Sequence, residues 1–373
     1  MKILLNNNNL FGFAVFRIDI INHFIEQGHQ VVLVGPGNNP EHIKRLPPQA
    51  KLITIKVNRT SASIADNLSY LKQLYRIFKK EKPDYIFNFT IKPNVYGALA
   101  AKLQGIPNSC MMAGLGYAFA HNDFKSKVAR ALYRVSMRCT QHVMVLNESN
   151  YNTVIDKRLA SKDKVIWMKG GEGVNGEKYP FYDNTADNVT FAFIARLIPE
   201  KGYREFVGAA RIIKEKYSNA QFDVIGDIDR KYPNAVTDAE IDSDVNNGYI
   251  NYLGTFTDML EIYSRPGTVI TIPSYYSEGL NRSLMEACSC GKPIITTSIP
   301  GCKETVIDGV NGYMVKPRDI TSLADAMARY LDLDAEQKRQ MSLESRNLAQ
   351  QRFNINDVIA VYDDIIAKAY PGA

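Results

Sequence analysis

Two glutamates separated by seven residues, Glu278 and Glu286, form the most informative pattern in the sequence. They follow a continuous apolar run, residues 269–273, which predicts a buried strand, and Gly279 allows the chain to turn sharply into a helix. The first N–H groups of a helix at the end of a strand can bind an anion. Glu286 lies on an otherwise apolar helix face, so its carboxylate is either paired inside the protein or binds a polar ligand.

Two basic residues follow a second apolar run, residues 189–195. Arg196 comes directly after this predicted strand, and Lys201 and Gly202 stand at the predicted start of the next helix. Two cations fixed at the end of a strand suit a diphosphate, whose oxygens Arg can bind in a bidentate manner. The alternative is a solvated loop with ordinary basic residues.

Asp227 and Asp229 form a DxD pattern, which would suit a divalent cation. Four more acids follow in the same polar stretch: Asp238, Glu240, Asp242 and Asp244. We therefore expect a long polar loop with solvated charges here, and no metal site. The sequence contains no HExxH, GxSxG or P-loop pattern, which disfavours zinc proteases, serine hydrolases and P-loop enzymes.

Apolar runs alternate with amphipathic helical segments along the whole chain. In the first half we predict strands at 2–6, 30–34, 85–89 and 142–146, with helices at 16–27, 64–80, 94–103 and 127–140. The pattern restarts after a glycine-rich segment, 170–176, and is typical of doubly wound α/β domains. We predict two such domains, residues 1–170 and 171–373, with ligands in the cleft between them.

The composition is that of a globular protein, with 45% apolar and 23% charged residues. No apolar run reaches the roughly 18 residues of a membrane span, so an integral membrane protein is excluded. The short apolar start predicts no signal peptide, so we expect a cytoplasmic protein. The five cysteines lack CxxC spacing, and we expect them to be reduced core thiols.

The charge is distributed unevenly between the two halves. Residues 1–180 carry 25 Lys and Arg against 12 Asp and Glu, whereas the remainder carries 20 against 27. A basic half indicates an anionic partner, and phosphates, an anionic lipid surface and nucleic acid all qualify.

Two basic clusters are expected to favour an anionic bilayer, although each could also be an ordinary solvated helix face. In the first cluster, three arginines recur every four positions along one helix face, and two lysines precede them. Its members are Lys125, Lys127, Arg130, Arg134 and Arg138, and those of the second cluster are Arg76, Lys79, Lys80 and Lys82.

Several motifs occur together in a characteristic order: Arg196 with Lys201, the two spaced glutamates, and the segment 300–313. In this combination the chain resembles the retaining glycosyltransferases of group 1, which have the GT-B fold. The resemblance is strongest to the members that build bacterial capsule, O-antigen and lipid-linked oligosaccharides. It covers nearly the whole chain, and segments 90–94 and 114–117 of the first half match as well.

The resemblance implies two Rossmann-like domains facing across a cleft, with the last helix packing back on the N-terminal domain. The N-terminal domain would bind the acceptor, and the C-terminal domain would bind the nucleotide sugar. Glu286 would bind the ribose hydroxyls and Glu278 the transferred sugar, while Arg196 and Lys201 would neutralise the diphosphate. Backbone N–H groups facing the diphosphate or the sugar would come from Gly279, Leu280 and Asn281.

On the acceptor side the resemblance is less complete. It points to Gly12, Lys92, Gly114 and Gly116. Many members of the group have a histidine where this sequence has Ala113, and a Gly-Gly pair where it has residues 6–12, in which Gly12 is the available glycine. Whether the nearby His121 substitutes for the missing histidine stays open.

The implied reaction moves a hexose or an N-acetylhexosamine from a UDP-sugar to an acceptor linked to polyprenyl diphosphate. It would retain the anomeric configuration, need neither a metal nor a cofactor, involve no nucleic acid and take place at the inner face of the cell membrane. Two alternatives remain: a nucleotide-sugar epimerase of the same architecture, and a non-catalytic carbohydrate-binding or scaffold protein.

Overall fold

Two units make up the chain, each with its own parallel β-sheet. The computed structural model describes residues 1–37, 39–58, 61, 63–114, 124–230, 232–276 and 278–370. The first unit comprises Met1–Glu172 and Ile355–Ala373, and the second comprises Gly173–Asn354.

The described strands of the first unit form one sheet in the order β3-β2-β1-β4-β5-β6-β7, and all neighbours pair in parallel. They are β1 (Lys2–Asn7), β2 (Gln30–Gly35), β3 (Lys51–Thr54), β4 (Tyr85–Phe89), β5 (Asn108–Met112), β6 (His142–Val145) and β7 (Val165–Trp167). The central strands read as continuous apolar runs because helices cover both faces of the sheet.

The helices of this unit pack on the two faces of the sheet. They are α1 (Ile18–Glu26), α2 (Pro40–Lys44), α3 (Ile64–Glu81), α4 (Ala98–Lys102), α5 (Phe124–Arg138), α6 (Glu148–Asp156) and, from the C-terminal segment, α13 (Ile355–Ala369). Ile3 and Leu5 of β1 pack in one core cluster with residues of α1 and α13. The alternate residue Leu4 packs in another cluster with residues of α3.

The last helix, α13, thus belongs to the first unit, and the second unit ends at Asn354. Tyr362 of α13 is buried against Phe87, with ring centroids 4.9 Å apart. The Tyr370 hydroxyl donates to the carbonyl of Asp84 (2.7 Å).

The described strands of the second unit form a parallel sheet in the order β10-β9-β8-β11-β12-β13. They are β8 (Thr190–Ile194), β9 (Gln221–Ile225), β10 (Asn251–Gly254), β11 (Thr268–Ile272), β12 (Ile294–Thr297) and β13 (Gly312–Val315). The helices are α7 (Tyr203–Lys216), α8 (Asp238–Asn246), α9 (Leu260–Tyr263), α10 (Arg282–Ser289), α11 (Ile320–Leu331) and α12 (Ala335–Arg352).

The predicted doubly wound α/β class is confirmed in both units. Several elements were not predicted, among them the short β3, β5, β7, β13 and α6 and the 15-residue helix α13. The predicted polar loop after Asp229 is wrong in part, because α8 begins there with a capping box between Thr237 and Glu240. None of the described helices combines the length and apolar character that a membrane span requires.

The cysteines are all free thiols, as expected. Four of them are buried, namely Cys110, Cys288, Cys290 and Cys302, whereas Cys139 is partly exposed. Burial raises the pKa of the four buried thiols, which keeps them protonated and unreactive.

In each unit the strand order reverses between two central strands. The reversal lies between β1 and β4 in the first unit and between β8 and β11 in the second. Ligands of doubly wound folds bind at the carboxyl ends of the strands at this reversal. The loops that follow these four strands are therefore the places where binding residues are expected.

Lys292 is fully buried between α10 and β12. Its ammonium donates to the side-chain oxygen of Asn184 (2.7 Å) and to the carbonyl of Arg265 (2.9 Å). Burial lowers the pKa of this amine from 10.5 to about 8. Because the folded protein then releases the proton at a lower pH than the unfolded chain, the free energy of unfolding gains a contribution as the pH rises from about 8 to 10.5.

Lys292→Met removes this contribution while keeping a long unbranched side chain. We expect the parent to gain roughly 2–3 kcal/mol relative to the variant across that pH range. Urea unfolding of both proteins at the two ends of the range measures it, and the exposed Lys303→Met serves as the matched control. A parent-to-variant difference that stays constant with pH would contradict the lowered pKa.

Candidate active site

Lys201 and Glu278 form an ion pair that joins the ends of the two central strands of the second unit. Lys201 ends a short 3₁₀ turn, Pro199–Lys201, after β8, and Glu278 follows β11. Their side chains are only 11% and 20% exposed. A cation and a carboxylate that the sequence predicts for the site are thus brought together at the strand reversal.

The backbone around Lys201 requires a glycine. Gly202 has a φ of +84°, and a Cβ at this position would lie 2.3 Å from the carbonyl oxygen of Pro273. The Glu200 carbonyl accepts hydrogen bonds from the Ser274 hydroxyl (3.0 Å) and the Tyr275 N–H (2.8 Å). These contacts fix the loop after β8 against the loop after β11.

A third loop supports Glu278 from the other side. The Glu278 N–H donates to the carbonyl of Pro300 (3.3 Å), and the Asn281 N–H donates to that of Gly301 (2.8 Å). Gly301 has a φ of +92°, and a Cβ there would lie 2.9 Å from the Glu278 carbonyl oxygen. The predicted motif segment 300–313 therefore begins in contact with the first of the two glutamates.

Glu286 is paired inside the protein. Its Oε1 lies 2.7 Å from Nε of Arg282, one turn earlier on α10, and its Oε2 lies 3.5 Å from the Tyr263 hydroxyl. The side chains of Arg282 and Glu286 are 9% and 5% exposed. Arg282 also donates from Nη1 to the carbonyl of Gly173 (2.5 Å). Of the two interpretations left open by the sequence, internal pairing is present, and binding of ribose stays a prediction.

The charge of Glu286 affects two neighbouring phenols. Burial, together with this negative charge, raises the pKa of the Tyr179 and Tyr263 hydroxyls. Both groups therefore stay protonated at neutral pH.

Arg196 lies in solvent beside the DxD pattern. Its side chain is 60% exposed, and Nη1 lies 3.1 Å from Oδ2 of Asp229. The guanidinium of Arg196 is thus already paired with Asp229, the second acid of the pattern. Within the described part of the chain, no group of three or more His, Cys, Asp and Glu side chains is arranged to hold a metal ion.

The acids after the DxD pattern lie on α8, and three of them are paired with arginines of the same unit. Asp238 pairs with Arg230 (2.7 Å), Glu240 with Arg204 (2.9 Å) and Asp244 with Arg211 (2.8 Å). The expected loop is therefore wrong, because a capped helix carries these acids and presents them to basic residues of α7 and the preceding loop. Asp238 is exposed and Glu240 is partly exposed to solvent, as expected, whereas Asp244 is buried.

The start of α10 is the predicted place for backbone contacts to a ligand. Asn281 caps the helix, since its side-chain oxygen accepts from the Leu284 N–H (3.2 Å). The Asn281 N–H is already bonded to Gly301, so a ligand would have to replace that bond. Leu280 is buried in the core, and the backbone contributions of Gly279 and Leu280 stay predictions.

Two of the predicted acceptor residues lie at the carboxyl ends of β1 and β4. Gly12 approaches the end of β1 closely, since a Cβ there would lie 2.1 Å from Nδ2 of Asn7. Lys92 is buried and donates to the Ser61 carbonyl and to the Asn67 side chain, both at 2.8 Å. Burial lowers the pKa of this amine, opposed by the nearby Asp66.

The other two follow β5. Gly114 is partly exposed, and a Cβ there would meet no atom of the described residues within 4 Å. Gly116 lies outside the described residues, as does His121. Ala113, at the position where the resemblance leads us to expect a histidine, packs beside the core.

Sequence reasoning missed a buried arginine, Arg17. It pairs with Glu172, donates to the carbonyl of Gly12 (3.0 Å) and has its guanidinium 4.1 Å from the centroid of the Phe89 ring. An arginine inside an otherwise apolar helical stretch was the available signal, because such a residue must be paired when it is buried.

Buried amides at the same strand ends were also missed. Asn6 donates to Asn88 across β1 and β4 (2.9 Å). Within the described structure, one side-chain atom each of Asn7, Asn88 and Asn94 is buried without a hydrogen-bond partner. The run of asparagines directly after the first predicted strand was the signal, and such groups make this strand end a candidate for binding a polar ligand.

Two family descriptions match the chain. The description "Glycosyl transferases group 1" matches residues 178–348, and "Glycosyl transferase 4-like" matches residues 2–147. The first match contains both partners of the Lys201–Glu278 pair and of the Arg282–Glu286 pair.

The chain is also similar to individual proteins. A Campylobacter jejuni protein named N,N'-diacetylbacillosaminyl-diphospho-undecaprenol alpha-1,3-N-acetylgalactosaminyltransferase is 26% identical over 95% of this chain and 93% of its own. An Escherichia coli protein named UDP-Gal:alpha-D-GlcNAc-diphosphoundecaprenol alpha-1,3-galactosyltransferase is 27% identical over 79% and 77%. The crystal structure of a glycosyltransferase from Rickettsia africae superposes with a TM-score of 0.82 at 18% identity, over 100% of this chain and 99% of its own.

Glu286→Ala is expected to destabilise the second unit, because it leaves the guanidinium of Arg282 buried without a carboxylate. The loss should be about 3–5 kcal/mol, and Arg282→Met combined with Glu286→Met should recover much of it. Thermal melts of both variants and the parent measure the effect, with Glu261→Ala on the surface as the control. A Glu286→Ala variant that melts like the parent would show that the pair is not structural.

Proposed function

We propose that the chain, as a member of the GT-B glycosyltransferases, transfers a sugar from a UDP-sugar. The acceptor in this reaction is a sugar carried on a polyprenyl diphosphate. The names of two relatives support this reaction. Both specify an acceptor linked to diphospho-undecaprenol, and one specifies UDP-galactose as the donor. The transferred sugar is a hexose or an N-acetylhexosamine, and the product enters a capsule, O-antigen or other surface glycan.

One observation carries the proposal: the buried ion pair of Lys201 and Glu278 at the reversal point of the second sheet. A nucleotide sugar needs a cation for its diphosphate and an acceptor of hydrogen bonds for its sugar hydroxyls. In the proposed complex Lys201 serves the diphosphate and Glu278 serves the sugar. Arg196 turns from Asp229 to the diphosphate, and Glu286 binds the ribose hydroxyls.

The proposed chemistry retains the anomeric configuration. The leaving diphosphate oxygen takes the proton of the acceptor hydroxyl on the same face of the sugar, so no side-chain base is required. The protein stabilises the leaving charge and positions the two substrates. This proposal is supported by the cations next to the strand ends.

The acceptor is assigned to the first unit. Gly12, Lys92, Gly114 and Gly116 follow β1, β4 and β5 in the chain. Near the ends of β1 and β4, one side-chain atom each of the buried Asn7, Asn88 and Asn94 has no hydrogen-bond partner within the described structure. The excess of basic residues in this half suits an acceptor that carries a diphosphate. Because such an acceptor is held in a lipid bilayer, the enzyme would act at the inner face of the cell membrane.

The reaction is tested by the release of UDP. We expect release from a UDP-sugar only when a polyprenyl-diphosphate-linked sugar is added, and mass spectrometry of the lipid should show the added hexose or N-acetylhexosamine. An epimerase would release UDP or change the sugar without the acceptor, and a non-catalytic binding protein would do neither. Either result would overturn the proposal.

The same assay tests whether the reaction requires a metal ion. Activity should persist in EDTA and in Asp229→Asn, because Arg196 and Lys201 supply the positive charge and Asp229 only holds Arg196 when no donor is bound. Loss of activity in both, with recovery on adding manganese, would assign the DxD pattern to a metal and remove the metal-free mechanism.

Arg196→Ala should lower kcat by roughly 10²–10³, the scale seen when one stabilising contact to developing charge is removed. Glu278→Ala should lower kcat and weaken discrimination among UDP-sugars, whereas Glu286→Gln should mainly raise the donor KM. Arg204→Ala is the matched control, an exposed arginine of the same unit paired with Glu240. Steady-state kinetics and calorimetry with UDP separate the three roles. Unchanged UDP affinity in Glu286→Gln would move the nucleotide away from α10.

A further inference from the structure

Thr90 has an unusual backbone conformation directly after β4. Its φ is +74°, in the left-handed region, where a β-branched residue is rare because its side chain crowds the backbone. A residue held there costs folding free energy, and glycine would adopt the same conformation without that cost. The other non-glycine residues with a positive φ in the described structure are not β-branched, namely Lys82, Arg158, Asn234 and Arg318.

The hydroxyl of Thr90 does not make the bond that its position offers. The Thr90 carbonyl accepts from the Asn94 N–H (2.9 Å), so Thr90 stands at the start of the helical segment 91–102. A threonine in this place ordinarily accepts a hydrogen bond from an N–H group of the first turn. Here Oγ1 is buried without a partner among the described residues, although Thr90 as a whole is partly exposed. Helix capping therefore explains neither the backbone nor the side chain.

Two amides near Thr90 in the chain each have one atom without a partner as well. These atoms are Nδ2 of Asn88, two residues earlier, and Oδ1 of Asn94, one turn later, both buried within the described structure. The other end of each amide is bonded, since Asn88 accepts from Asn6 (2.9 Å) and Asn94 donates to the carbonyl of Met111 (2.8 Å). The segment thus contains an unused donor, an unused acceptor and a hydroxyl, and all three are neutral.

The cation of this segment is already bonded. The ammonium of Lys92 donates to the carbonyl of Ser61 and to the side chain of Asn67, both at 2.8 Å. A phosphate is bound most strongly by charged donors, whereas a sugar hydroxyl both donates and accepts a hydrogen bond, as the threonine hydroxyl does. The unused groups around Thr90 therefore suit a sugar better than a diphosphate.

We propose that Thr90 binds a hydroxyl group of the acceptor sugar and determines how well that sugar is recognised. Because the residue is partly exposed, rotation about its Cα–Cβ bond brings Oγ1 to the solvent side, where the sugar hydroxyl becomes its partner. The strained backbone holds the threonine at the carboxyl end of β4, next to the strand reversal. The inference rests on the proposed function in that the first unit binds a sugar carried on a polyprenyl diphosphate.

The hydroxyl is tested with two variants of similar size. Thr90→Val keeps the branched shape and removes the hydroxyl, whereas Thr90→Ser keeps the hydroxyl. N-acetylglucosamine carried on undecaprenyl diphosphate, in detergent micelles and without a donor, is the probe for calorimetry. Thr90→Val should bind it roughly 3–10-fold more weakly than the parent, the loss expected of one neutral hydrogen bond. Thr90→Ser should bind it like the parent.

Undecaprenyl diphosphate without a sugar is the matched ligand. The parent should bind it more weakly than the sugar-bearing lipid, and Thr90→Val should bind it with the same Kd as the parent. An equal loss for both lipids in Thr90→Val would assign Thr90 to the diphosphate and overturn the proposal. So would a parent that gains no affinity from the sugar, or a Thr90→Val variant that binds the sugar-bearing lipid like the parent.

The strain has a measurement of its own. Thr90→Gly should raise the thermal midpoint by about 2–4 °C, because the relieved strain exceeds the entropy that glycine adds to the unfolded chain. The same variant should bind the sugar-bearing lipid as weakly as Thr90→Val does. Arg158→Gly is the matched control, since Arg158 is exposed in the same unit and has a φ of +51°. It should also raise the midpoint, and it should leave lipid binding unchanged.

A Thr90→Gly variant that melts below the parent would show that Thr90 serves the fold, and the proposal would be overturned. The calorimetry involves no transfer, so its failure leaves the release of UDP as evidence for the reaction. A parent that binds the sugar-bearing lipid through Thr90 but releases no UDP would contradict only the proposed function.

Discussion

The ion pair of Lys201 and Glu278 is the interaction on which the geometry of the candidate site depends. Lys201 is almost completely buried, and an ammonium in that position is costly unless a carboxylate faces it. The pair therefore couples the loop after β8 to the loop after β11. The close approach of Gly202 to Pro273 and the bonds to the Glu200 carbonyl allow the two loops no other spacing. Two charges of opposite sign are thereby fixed at the strand reversal before any ligand arrives.

A similar constraint applies where the chain passes from one unit to the other. In the second unit Arg282 bonds both Glu286 and the carbonyl of Gly173, the first residue of that unit. In the first unit Arg17 bonds both the carbonyl of Gly12 and Glu172, the last residue before the passage. Each buried arginine thus links a predicted binding residue of its own unit to the adjoining chain. This role explains why an arginine tolerates burial in two otherwise apolar surroundings.

The sequence predicts the fold class because apolar runs and amphipathic segments have different periods, and both sheets consist of buried parallel strands. It also predicts that Lys201 and Glu278 lie at strand ends. It leaves open whether Glu286 is paired and does not identify the partner Arg282, since only the packed structure shows that both side chains are buried. It misses Arg17 and the buried asparagines, whose surroundings come from segments far apart in the chain. The acids of α8 were misread because a capping box was overlooked in a polar stretch. The exposure of Val128, Leu132 and Val135 on α5 was missed because the period of the apolar residues does not reveal which side of a helix the sheet covers.

The two cations of the candidate donor site differ in a way that suits their proposed tasks. Lys201 is buried and its position is fixed by Glu278, so it can contribute the same stabilisation before and during transfer. Arg196 is exposed and paired with one carboxylate, and an exposed pair of this kind is worth only about 0–1 kcal/mol. A diphosphate carries more charge than a carboxylate and matches the guanidinium in a bidentate manner, so it can displace Asp229 at little cost. The diphosphate gains negative charge as the sugar leaves. Arg196, whose side chain is free to move with the diphosphate, would then interact with this additional charge. We expect Lys201 and Arg196 to affect the reaction at different stages because the position of Lys201 is fixed and that of Arg196 is not. Both nevertheless carry one positive charge and follow the same strand.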